Sequence, residues 1–147
     1  MKKLLVSIVM VIFLLGAGGV STERWKAHVD NGAGSGIWTF TKKTDGSLGI
    51  KGEWVYDDVS CPFNKGKVSI SGTSFTFTVQ GTATKASAPP GFQDSAFILD
   101  VKGEVKDAKG SGTWTISFSV PSWPMGLAGK WTAIKISGKG VMTELAD

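Results

Sequence analysis

The sequence predicts an all-β fold: an antiparallel, eight-stranded up-and-down meander closed into a barrel. Three observations carry this. No stretch after the N-terminal segment sustains a helical period, several short runs alternate apolar and polar residues, and glycine- or proline-containing turns separate them.

The alternation is clearest in four runs. Trp38-Thr39-Phe40-Thr41, Phe75-Thr76-Phe77-Thr78-Val79 and Trp114-Thr115-Ile116-Ser117-Phe118 place aromatic or apolar residues on one face and hydroxyls on the other. From Phe97 to Val105, the residues Phe97, Leu99, Val101 and Val105 oppose Asp100, Lys102 and Glu104. A slip of one residue would bury those charges, so the register is strongly specified. Asp45-Gly46 is a hairpin signal of the type I′ kind, which needs positive φ at both central residues. Pro89-Pro90 and the stretch Pro121 to Pro124 cannot lie in a central strand. The expected strands fall near 24–30, 36–43, 48–56, 66–71, 74–84, 95–106, 112–119 and 129–137, with Ser60-Cys61-Pro62-Phe63 as a connection. Short connections imply antiparallel neighbours, and closure removes exposed edges. A two-sheet β-sandwich of similar strand count is the alternative.

Residues 1–20 read as a secretory signal peptide, and residues 21–147 as one barrel domain. Lys2 and Lys3 precede an apolar run from Leu4 to Leu15, and the small residues Gly16 to Gly19 follow. The run is shorter than the roughly 20 apolar residues that span a bilayer; an uncleaved anchor is the alternative. The expected destination is the periplasm or the medium. Without Lys2 and Lys3 the formal charge falls from +4 to +2, and the remaining charges are scattered, so nucleic acid is not an expected partner.

The recurring motif is glycine, any residue, tryptophan, then a β-branched residue. It occurs at Gly36–Thr39, Gly52–Val55, Gly112–Thr115 and Gly129–Thr132, as two pairs each spanning neighbouring strands. The glycine leaves an empty place on its face that an indole on the adjacent strand can cover. A buried aromatic removes about 150–250 Å² from water. Two cycles are too few for a repeat architecture.

Gly36-Ile37-Trp38, then Asp45-Gly46, Leu48 and Gly52-Glu53-Trp54-Val55-Tyr56, resembles the opening of avidin-like and lipocalin-like (calycin-type) barrels. Those begin with a Gly-x-Trp strand and return through a Gly-x-aromatic strand. The resemblance covers the N-terminal part of the mature chain and implies a barrel with a binding habit. It carries over no functional residue.

No catalytic, cofactor or metal constellation stands out. His28 is a lone histidine, which lacks the partners of a metal site or triad. Asp57-Asp58 reads as a solvated strand end rather than a calcium site, which needs six to eight oxygens. An isomerase or cyclase working at the barrel mouth would need a buried acid, and none is evident. Cys61 cannot form an intrachain disulfide; it is read as a small buried side chain, with a reactive thiol as the sharper alternative.

Two functions remain. One is a non-catalytic module binding a small apolar or aromatic ligand at one mouth, with Trp123, Met125 and Tyr56 as the contact residues. Trp123, held between Pro121 and Pro124, is then an exposed platform whose loss costs under about 1.5 kcal/mol; as a cap it would instead close the core. The other is a structural or interaction accessory of the cell envelope with a filled core. In the last strand the apolar set shifts from Trp131 and Ala133 to Ile134 and Ile136. A β-bulge near Thr132–Ile134 would keep the isoleucines inside. Facing outward, they would offer a homo-oligomer contact through the last strand.

Overall fold

A computed structural model describes residues 19–29, 34–124 and 126–142. The candidate signal peptide falls almost wholly outside them. The strands are β1 (Ser21–Val29), β2 (Gly34–Lys42), β3 (Leu48–Tyr56), β4 (Val59–Phe63), β5 (Gly66–Ser71), β6 (Ser74–Lys85), β7 (Ser95–Lys106), β8 (Lys109–Phe118) and β9 (Leu127–Gly138). No helix occurs among the described residues, and hence none long and apolar enough to cross a membrane.

All pairings are antiparallel, in the order β4-β3-β2-β1-β9-β8-β7-β6-β5. Val59 pairs with Lys85 and Ser60 with Thr84, so β4 meets β6 and closes an eight-stranded barrel. β5 is an extra strand along β6, from Gly66 opposite Val79 to Ser71 opposite Ser74. Closure of one sheet excludes the two-sheet sandwich.

The strand absent from the sequence expectation is β4. Val59, Cys61 and Phe63 alternate inward, but only over five residues and across a proline. Pro62 is tolerated because it points outward and β4 pairs with β6 only at Val59 and Ser60. Cys61 is therefore a strand residue, 1% exposed.

The hairpin at Asp45-Gly46 forms, but not as type I′. Only Gly46 has positive φ, at 84°. Gly46 N–H donates to Lys43 O and Lys43 N–H to Ser47 O, both at 2.9 Å. The loop is thus longer than two residues, and Asp45 serves it by accepting from Ser47 N–H and Oγ. Those bonds hold the Asp45 carboxyl below the usual carboxylate range. The two-residue turn with positive φ at both positions is Asp107-Ala108, at 52° and 61°.

Trp25, Trp38, Phe40, Trp54, Phe77, Phe97, Leu99, Trp114 and Trp131 point inward and are buried. Lysine, threonine, serine and acidic residues alternate outward. A bulge exists in β9, one turn of the pleat beyond its expected place. Arg24 pairs with Ser137 and Trp25 with Lys135, which leaves Ile136 unpaired. It does not turn the isoleucines inward: Ile134 is 50% and Ile136 44% exposed.

Candidate functional site

The lumen is built by the glycine–tryptophan motif. Gly36 stands opposite Trp54 and Trp38 opposite Gly52. Gly112 stands opposite Trp131 and Trp114 opposite Gly129. Gly36 and Gly129 leave room for the indoles of Trp54 and Trp114 across from them, Gly103 and Gly110 leave room for Trp131, and Gly52 and Gly112 instead let neighbouring backbone approach closely. The two units then meet inside the barrel, Trp38 against Trp131 and Trp54 against Trp114, both with ring centroids 5.2 Å apart. Phe77 packs edge-on to Trp38 at 5.1 Å. Tilted and edge-to-face contacts of this kind suit the aromatic quadrupole.

The Trp131 indole N–H reaches Lys102 O and Thr113 O, both at 3.2 Å. By contrast, the Nε1 atoms of Trp38, Trp54 and Trp114 are buried with no hydrogen-bond partner among the described residues. Buried donors left unmatched cost about 1–3 kcal/mol each.

One mouth is occupied by Trp123, which is only 4% exposed. Its Nε1 donates to Gln93 O at 2.7 Å, and its ring lies 5.4 Å from Phe92 and 4.9 Å from Phe118. Val120 N–H donates to the buried Ser95 hydroxyl at 3.1 Å and fixes the start of the loop. Trp123 is thus the cap of that mouth rather than an exposed platform. Tyr56 is half-buried and leans on Trp114 at 5.5 Å, whereas the ring partners of Trp123 are Phe92 and Phe118. Met125 lies outside the described residues.

The opposite mouth holds a group the sequence reading missed. Glu23 is fully buried. Its Oε2 accepts from the N–H groups of Val141 and Met142, at 2.6 and 2.8 Å, and its Oε1 from Trp25 Nε1 at 3.1 Å. Gly138 and Gly140, with φ of 87° and 89°, fold the chain back so that Val141 and Met142 plug the opening. The signal was present: Glu23 shares parity with Trp25, Ala27 and Val29, and extending the first strand toward the N-terminus reveals it.

The remaining candidates are structural or surface groups. Asp58 accepts from Ser87 N–H at 3.0 Å and from Ser87 Oγ, which holds its carboxyl below the usual range and ties β4's turn to the loop after β6. Burial, with Glu53 nearby, pushes the Cys61 thiol up to about 12, the opposite of a reactive cysteine. His28 is exposed on the outer wall, where it shares a shallow concavity with Glu104, Lys106, Lys109 and Ile134. Comparison with known proteins finds no matching family model, no similar curated protein and no similar solved structure.

Proposed function

We propose that this chain is an exported, non-catalytic interaction protein of the cell envelope, working through the outer wall of a barrel with a filled core. The observation that carries the reading is occupancy of the lumen from end to end: Trp123 at one mouth, the tryptophan quartet between, and Val141 and Met142 at the other. A ligand would have to displace a buried aromatic, and re-exposing one costs about 4–6 kcal/mol at about 25 cal/mol per Å².

Export rests on Lys2, Lys3 and the apolar run to Leu15. A peripheral rather than membrane-spanning state rests on the outer face, whose polarity a membrane barrel reserves for its lumen. The non-catalytic reading rests on Glu23, whose two oxygens are already taken by three donors.

A second reading, a small apolar or aromatic ligand entering beside Trp123, Met125 and Tyr56, is favoured by the three unmatched indole donors. Such a ligand would need an acceptor atom that reaches them. Titration with aromatic ligands, followed by tryptophan fluorescence and thermal melting, separates the two. The filled-core reading expects no saturable change. A saturable quench with a raised Tm, abolished by Tyr56→Ala, would overturn it.

A further inference from the structure

We propose that the outer wall of β8, β9, β1 and the end of β7 is a docking surface for an anionic lipid bilayer. The inference rests on the outer-wall reading and names its partner. One cross-strand row carries it: Lys106 stands opposite Lys109, Lys109 opposite Ile134, and Ile134 opposite Lys26. Arg24 and Ile136 lie beside this row at the bulge.

Like charges directly opposite on a sheet destabilise it, so the Lys106–Lys109 pair does nothing for the fold. None of Arg24, Lys26, Lys106 and Lys109 forms an ion pair among the described residues. Glu104 shares a concavity with Lys106 and Lys109, and the exposed Asp107 lies in the turn between those two lysines, so four cations face two acids. On the far side, β6 presents Thr76, Thr78, Gln80, Thr82 and Thr84, with Lys85 at its end as its one charge. Four cations and two exposed isoleucines thus share one wall, whereas Ile98, exposed on β7, stands apart between Gln80 and Ser117.

The isoleucines decide between partners. A soluble polyanion needs the lysines only, whereas a bilayer rewards both, with basic heads at the phosphates and Ile134 and Ile136 at the acyl boundary. A second copy of the chain docked isologously would set this basic wall against itself.

The test uses the full chain and vesicles of phosphatidylcholine, with and without phosphatidylglycerol. The apolar run from Leu4 to Leu15 itself favours vesicles, so the readout must be wall-specific. A polarity-sensitive dye is placed on Ile134→Cys or, as a control, on Thr76→Cys; Cys61 is buried and stays unlabelled. The expected result is a blue shift at position 134 alone, only with anionic vesicles, and weakened by salt. With the dye kept at position 134, Lys26→Gln/Lys109→Gln and Ile136→Ser should each raise the concentration of anionic vesicles needed for half the blue shift, by about tenfold for the lysine pair. Equal shifts at both positions, or no effect of either variant, overturn the proposal. Binding to dextran sulfate that needs the lysines but not the isoleucines overturns lipid docking and leaves the outer-wall reading standing. So does a dimer that the isoleucine variant dissociates while vesicles go unbound. A saturable ligand in the lumen would defeat the outer-wall reading itself.

Discussion

Trp54 stands directly opposite Gly36 across β2 and β3, with its Cε3 3.1 Å from where a Cβ on that glycine would lie. The same added atom would meet Glu53 O at 2.6 Å and Trp38 Nε1 at 2.9 Å. Gly36 is therefore a packing device that makes room for two indoles at once. Gly36→Ala is expected to destabilise the barrel by about 1–3 kcal/mol through overpacking. Gly49→Ala, where the added atom meets nothing within 4 Å, is expected to be neutral or stabilising by about 0.4–1 kcal/mol. Denaturant melts of the pair check this.

Trp114→Ala and Trp123→Ala are expected to cost similar amounts, each about 3–5 kcal/mol. Trp123 loses as much because it is buried between Phe92 and Phe118 and its indole N–H is bonded to Gln93 O. Thermal melts side by side decide it, and a loss at Trp123 under about 1.5 kcal/mol, the ordinary surface range, would restore the exposed platform.

The barrel itself was legible because alternation and turn signals agree over β2, β3, β6, β7 and β8. What escaped were features in which local signals conflict with the three-dimensional result. Pro62 disguised β4, whose inward residues Val59, Cys61 and Phe63 are visible only once closure against β6 is known. Ile134 and Ile136 look like core residues, and only the pairing with β1 shows that they face outward. Trp123 was misread because the burial of a loop tryptophan depends on which segment folds over the mouth, and no local pattern encodes that. Glu23 was missed for a different reason: its parity with Trp25, Ala27 and Val29 is visible only once the first strand is extended back to Ser21.

Asp107-Ala108 forms the two-residue β7–β8 turn with positive φ at both residues. Left-handed backbone costs a non-glycine residue about 1–2 kcal/mol, least for asparagine and aspartate. Asp107→Asn/Ala108→Gly should therefore stabilise the protein by about 1 kcal/mol, read as a higher denaturant midpoint with an unchanged slope. A lower midpoint would mean that the turn is held by contacts beyond its own backbone.

The Cys61 thiol, pushed by burial from 9.0 to about 12, links stability to alkaline pH. A raised folded-state value stabilises fully below the unfolded value and is lost as pH rises through the folded one. Wild type should thus lose stability between pH 9.0 and about 12 relative to Cys61→Ala, which has no thiol to ionise. Parallel curves for the two proteins would contradict the buried, neutral thiol.

The solidity of the lumen is most directly read from the indole protons of Trp38, Trp54 and Trp114, whose nitrogens are buried without a partner among the described residues. Protons in a filled core exchange only when the barrel opens globally. In D₂O, their nitrogen-correlated NMR signals should persist as long as those of the slowest strand amides. Loss of the three indole signals within minutes, while the strand amides remain, would mean that solvent enters an open lumen and that the filled-core reading is wrong.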